Sequence, residues 1–401
     1  MVDLPTLRAY WAHRQGLDGS LAGANSAAVL ERAGWARSVG GTTPYLTLFS
    51  RAGLRRDQVD ADVAALRIHE LPSARDCTYV LPAADFALAA VVGGGASSAA
   101  ELRTAAKLGV TREEIDDLAD QIVAALARQE SDPAALRKTL GQKVRSLGDE
   151  GKKKGVTTTL PLALGVLQAQ SRIRRVPIDG RLDQQRFRYT VWSDAPAWGG
   201  SREDAAADLA SRYWAWIGVA SLAQFRWFSA FTATAAKKAT ADLALRPVGD
   251  AGLLATAETI TDLESSVAPN DPQVSLIGWL DSLVLLRRDL DGVTEAADRA
   301  HPLLAPARGT SAGGSLTDLP HQGIVDRGRL IGLWDYDPEL GEIAWAPITD
   351  LARAQRESVE DAVARTAAYV REDLGDNRGM SLDSPKARAP RLAQLRAHAR
   401  R

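Results

Sequence analysis

Cysteine is almost absent from this chain: its 401 residues carry one, Cys77. A lone thiol excludes an intrachain disulfide and any Cys-rich zinc site. The five histidines, at 13, 69, 301, 321 and 398, stand at no metal-ligand spacing, so no metal and no other cofactor is expected. No stretch approaches eighteen uninterrupted apolar residues, which leaves no candidate for a spanning helix. The opening MVDLPTLRAYWAHRQ brings charges early, where a signal peptide would carry an apolar core. The expectation is a monomeric cytoplasmic protein without membrane contact. Net charge is also lacking, with 49 Lys and Arg against 50 Asp and Glu. As a whole the chain would not draw a polyanion.

Locally it would. Residues 137–188 hold thirteen positive groups, among them Lys152, Lys153, Lys154, Arg172, Arg174, Arg175, Arg181, Arg186 and Arg188. Only Asp149, Glu150, Asp179 and Asp183 oppose them, a surplus of nine. A field of that size attracts nucleic acid whatever the overall charge. Duplex DNA is the expected partner, because no exposed aromatic array of the kind that grips single strands accompanies the charge.

The order of elements supports an α+β chain of several domains, as the length requires. Residues 4–35 suggest two helices. Tyr45–Phe49 fits the start of a helix or a short buried strand equally, since periodicity does not decide at that length. A helix over 59–66 and a strand from Cys77 to Leu81 follow, completing a winged-helix order over 1–95. In 96–195, Thr111 with Glu114 forms a capping pattern that opens a helix over 112–127. Helices over 133–147 and 158–170 follow, then basic and apolar residues alternate over 171–192 around Asp179-Gly180, a type I′ hairpin signal. Thr157, Thr158 and Thr159 open the third of these helices, the candidate recognition helix, with Lys152–Lys154 just before it and Arg181, Arg186 and Arg188 on the wing. Residues 196–265 form a third helical unit, its aromatic residues chiefly core. A small β domain over 266–350 carries a Gly/Ser/Thr loop near 309–317. A helix and a basic, partly ordered tail occupy 351–401.

Several segments, in order, resemble one family. They are Leu48-Phe49-Ser50-Arg51; Arg75 to Asp85; Ser211-Arg212-Tyr213 with Gly218–Leu222 and Phe225–Ser229; Leu276–Asp281; and Gly328–Trp334. Over nearly its whole length the chain resembles the crosslink-repair DNA glycosylases of the AlkZ/YcaQ type. The resemblance implies three tandem winged helices and a C-terminal β-barrel-like domain around a DNA channel. It also implies hydrolysis of the N-glycosidic bond of alkylated or crosslinked purines.

The catalytic pattern departs from that family. Its Gln-x-Gln or Gln-x-Asp, which positions the attacking water, would fall on Arg37 and Val39 when counted back from Arg51. The His expected on the first wing is Tyr79. Valine cannot orient water, and a fixed positive charge opposes the cation-like sugar. Gln168-Ala169-Gln170 does not replace the motif, because residues two apart on a helix diverge by about 200°. Asp281, Asp76 and Asp85 are candidate carboxylates for a general base, with Asp281 and Tyr79 the foremost pocket candidates beyond Arg37. Two readings stay open: an active glycosylase, or a DNA-binding or regulatory protein of the same architecture that has lost the motif.

Overall fold

The computed structural model describes residues 2–304 and 317–399. The first group of elements comprises α1 (Leu4–Arg14), α2 (Ser26–Ala33), β1 (Ala36–Arg37), α3 (Thr43–Ala52), α4 (Arg56–Ala64), β2 (Ile68–Pro72), β3 (Thr78–Pro82) and α5 (Phe86–Gly93). Tyr45–Phe49 lies within α3, which Pro44 opens and Gly53, at φ 70°, ends. The strands form an antiparallel sheet in the order β1-β3-β2, with Arg37 opposite Tyr79 and Glu70 opposite Val80.

The second group comprises α6 (Ala96–Ala106), α7 (Arg112–Leu126), α8 (Pro133–Leu140), α9 (Gly148–Lys153), α10 (Thr159–Ala169), β4 (Ile173–Pro177) and β5 (Phe187–Val191). Thr111 caps α7 as its sequence predicts, accepting from the Glu114 N–H at 3.2 Å. The helix expected over 133–147 is shorter, ending at Leu140 before Gly141. Asp179-Gly180 does not close a two-residue hairpin. Pro177 pairs with Phe187, so residues 178–186 form a long loop. That loop crosses to the first group. Leu182 is buried in a core with Tyr45 and Leu46, and its N–H donates to the Tyr45 hydroxyl at 2.9 Å.

The third group comprises α11 (Arg202–Ile217), α12 (Leu222–Ser229), α13 (Ala233–Ala239), β6 (Arg246–Val248), β7 (Leu253–Ala255) and α14 (Ala257–Ser265). Its expected aromatic core is present: Tyr213, Trp214, Trp216, Phe225 and Phe228 are buried together with Trp35 and Tyr79 of the first group. Trp227 stays partly exposed, with the Arg75 guanidinium 4.0 Å and that of Arg288 4.8 Å from its ring.

The C-terminal part comprises β8 (Val274–Ile277), α15 (Ser282–Leu285), β9 (Gln322–Asp326), β10 (Arg329–Asp337), β11 (Glu342–Pro347), α16 (Arg353–Tyr369) and α17 (Pro385–Ala399). Its strands form an open antiparallel sheet, β11-β10-β9-β8, which corrects the barrel-like expectation. Four strands are too few to close, and both faces are covered instead. Trp334 and Tyr336 join a core with α2, α3 and α16. Leu330 and Leu333 join one with α1 and α17. The loop expected near 309–317 lies, apart from Thr317, outside the described residues.

The expected basic tail contains a helix whose three arginines are paired, while Lys386 stays exposed. In α17, Arg388 pairs with Asp376 and Asp383, Arg391 with Asp335 and Asp383, and Arg396 with Asp337 and Glu342. No helix among the described residues is long and apolar enough to cross a membrane.

Candidate nucleic-acid interface and catalytic pocket

A cleft of about 660 Å³ separates the first group's β2–β3 hairpin from the second group. Leu71, Pro72, Asp76 and Thr78 form one wall, and Arg137, Thr157, Leu164, Gln168 and Arg175 belong to the other. The hairpin tip is strained: Arg75 and Asp76 are both left-handed, at φ 61° and 53°. The stack of Arg75 on Trp227 holds this tip and leaves Asp76 exposed at the cleft.

The face of α10 turned to this cleft carries Pro161, Leu164, Gly165, Gln168 and Ala169, with no basic side chain. The remaining positions are nearly all buried and apolar. The recognition-helix expectation is therefore corrected. The helix was placed rightly, but it is a core element with one apolar wall. Of its threonines, Thr157 is exposed, whereas Thr158 and Thr159 are buried. The Thr159 hydroxyl accepts from the Arg145 N–H at 3.0 Å. Gln168 donates to the Leu164 carbonyl of its own helix, so Gln168-Ala169-Gln170 makes no joint water site.

The basic window divides in two. Arg172 pairs with Asp120 at 2.8 Å, Arg145 with Glu114 at 3.0 Å and Arg186 with Asp179 at 3.6 Å. Arg181 pairs with Asp183 and donates to the Leu374 carbonyl at 2.9 Å, anchoring the 178–186 loop. Arg188 is exposed and reaches only the Ile178 carbonyl, at 3.5 Å. Arg174 is half-buried. Lys152, Lys153 and Lys154 are exposed, with no carboxylate in ion-pair range among the described residues. Arg137 and Arg175 share the cleft, while Lys143 lies in a separate one with Arg128. The basic residues of 172–188 thus do not form one free surface; the available charge lies on the lysines, the cleft arginines and exposed Arg188.

The pocket candidates separate as clearly. Asp281 is fully buried and paired in two-fork fashion with Arg51, at 2.7 and 2.8 Å. It also caps α15 through the Leu283 N–H at 2.9 Å. No lone pair of this carboxylate faces a channel, which removes it as a general base. Asp85 is likewise buried, accepting from Trp35 Nε1 at 2.7 Å and pairing with Arg212 at 3.0 Å. Tyr79 is sealed among aromatic rings, with Trp35 at 5.9 Å and Phe228 at 6.0 Å, and burial pushes its phenol pKa up. Arg37 donates to the Thr78 carbonyl at 2.6 Å and lies 5.5 Å from the Tyr79 ring. Val39 accepts through its carbonyl from the Ser381 N–H at 3.0 Å. Gly40, at φ 71°, has Gln185 of the wing loop packed against it. Only Asp76, among the carboxylates singled out in the sequence, borders the cleft.

Two neighbouring residues escaped the sequence reading. Glu70 is buried on β2, accepts from the Ser38 hydroxyl and faces Arg175 at 3.9 Å. Burial raises its pKa, while the Ser38 bond, Arg175 and Arg37 oppose the rise. His69, on the opposite face of the strand, packs edge-on to Trp192 and Phe86. Burial foremost, then Arg174 and Arg175, bring its pKa down to about 3. The alternation of His69, Glu70 and Leu71 on a strand was the available signal, since it turns Glu70 away from the aromatic core.

A search of the curated proteins finds no match. Among solved structures, the Streptomyces sahachiroi DNA glycosylase AlkZ matches over 93% of this chain and 97% of its own, with a TM-score of 0.67 at 18% identity, a likeness of fold. The family model described as DNA glycosylase AlkZ-like matches residues 36–369, which takes in the Arg37 strand, the cleft, the 178–186 loop and the open sheet. On that match over most of its length, the chain belongs to the AlkZ-like DNA glycosylase family.

Proposed function

We propose that this protein binds duplex DNA across the cleft and the adjoining lysines, and hydrolyses the N-glycosidic bond of an alkylated purine. The three helix-and-hairpin groups are read as winged helices over 1–95, 96–195 and 196–265, with 266–350 and 351–401 closing the fold. One observation beyond family membership carries the reading: Lys152–Lys154 are exposed and make no ion pair among the described residues, and they lie just before Thr157 of a cleft that itself contains Arg137 and Arg175. Phosphates neutralise such groups with release of counterions, so affinity should fall steeply with salt. An alkylated purine suits the site, because a base weakened in its stacking costs less to expose.

A non-catalytic DNA binder is the second reading, favoured by Arg37 and Val39 at the expected water-positioning places. The deciding experiment incubates the full chain with duplex DNA carrying one N7-alkylguanine and assays abasic sites. Product with retained duplex binding supports the glycosylase. Binding without product on any alkylated duplex leaves the binder, and absence of both removes the two readings together.

A further inference from the structure

We propose that Glu70 is the carboxylate that takes the proton from the attacking water, in place of the family's motif on Arg37 and Val39. The assignment rests on the glycosylase reading above. Its first support is position. Ser38, which lies between those two residues, donates its hydroxyl to Glu70 Oε1. The sheet register sets Arg37 in a row with Tyr79 and Leu71, and Glu70 in the next row with Val80 and Ala36. Ser38 and Glu70 therefore share the face opposite Arg37, whose guanidinium is turned to the Thr78 carbonyl and Tyr79.

The second support is an unused lone pair. Glu70 Oε2 is buried and has no hydrogen-bond partner, and neither has Arg175 Nε. Buried polar atoms are nearly always satisfied. Of the two carboxylate–guanidinium pairs left unsatisfied among the described residues, the other being Asp85 Oδ1 with Arg212 Nε, only this one has its arginine on the cleft. Arg175 joins the carboxylate to the cleft: it lines the cleft, keeps about a third of its side chain exposed and reaches to 3.9 Å from Oε2. A phosphate entering the cleft competes for Arg175 and uncovers Oε2. The third support is elimination, since Asp281 is consumed by Arg51 and neither Asp85 nor its partner Arg212 lines the cleft.

In the reaction, the C1′–N9 bond of an N7-alkylated purine breaks and its electron pair passes to the base, cancelling the alkyl-induced positive charge. Water oxygen bonds to C1′, and its proton moves to Glu70 and then to solvent. The charged carboxylate also stabilises the cation-like sugar. Ser38 and Arg175 face Glu70, and Arg37 acts on it from the other side of the sheet through its charge; all three oppose the upward push of burial.

The test measures single-turnover release from an N7-methylguanine duplex across pH, using the full chain. Glu70→Gln keeps an acceptor for the Ser38 bond and should lower the rate by at least about 100-fold, with duplex affinity not reduced, because the phosphate's competitor for Arg175 has lost its charge. The wild-type rate should rise with pH to a plateau. Arg175→Met and Ser38→Ala should each move the midpoint upward, because each removes a group that favours the ionised acid. Equal rates for wild type and Glu70→Gln overturn the assignment and leave the glycosylase standing. A midpoint unmoved in both Arg175→Met and Ser38→Ala overturns it even if Glu70→Gln is inactive or misfolded. A wild type that releases no base overturns the glycosylase reading and the assignment with it.

Discussion

Two stretches of this chain are densely basic, and they spend their charge differently. In α17, Arg388, Arg391 and Arg396 close onto carboxylates of the sheet and of the segment before the helix. In α9, Lys152 and Lys153, followed by Lys154, point into solvent. Arginine's planar fork suits fixed two-point pairing, whereas lysine is a flexible point charge whose ammonium keeps its water. Charge density along a sequence therefore does not equal charge available to DNA. What matters is whether the fold delivers carboxylates to the same place.

The sharpest break of this contrast is Arg388→Ala. Its side chain is almost fully buried, so removing it empties a packed site, frees the Tyr336 carbonyl and leaves buried Asp383 with Arg391 as its one remaining arginine. A loss of about 3 kcal/mol is expected, read by urea denaturation, with DNA affinity and its salt dependence unmoved. A loss of affinity without loss of stability would place α17 in the DNA interface and erase the distinction.

Arg396→Ala sharpens it by pH. Burial works to raise the Asp337 pKa, but the Arg396 bond and the Glu339 and Leu340 N–H groups outweigh it, so the pKa is lowered. An acid whose folded pKa is depressed stabilises the fold above its unfolded value, near 3.8, and loses that contribution as pH falls through the folded one. Arg396 is partly exposed, so screening limits the effect to about 1 kcal/mol or less. The wild type should exceed Arg396→Ala in stability at neutral pH and converge with it in acid, below the depressed value. A gap that persists there assigns the effect to packing.

Much of the local structure was legible. The Thr111 cap, α10 and the strands flanking the wing follow from patterns confined to a few residues. The wing's destination was not legible, since Leu182 meets Tyr45 across 137 residues of sequence. Nor were the arginine pairs of α17, whose sheet partners lie 56 and 59 positions away. The candidate site suffered most from this. Asp281 was conspicuous after an apolar run, yet Arg51, 230 positions earlier, had already claimed it. Glu70 sat in an unremarked strand, and its interest arises only where Ser38 and Arg175 converge on it.

The mildest perturbation tests the other half of the contrast. Replacing Lys152, Lys153 and Lys154 together by Gln should change stability by no more than about 0.5 kcal/mol, because exposed side chains without partners hold nothing in place. On duplex DNA the outcome should differ. If all three neutralise phosphates, the slope of log affinity against log salt becomes shallower by up to about 3, measured by fluorescence anisotropy over a salt series. The loss should be uniform across duplex sequences, since contacts to the backbone position a protein without reading bases. An unchanged slope would mean that α9 faces away from the bound duplex. The cleft residues Arg137 and Arg175, with exposed Arg188, would then have to supply the attraction, and the binding surface would shrink toward the region around Glu70.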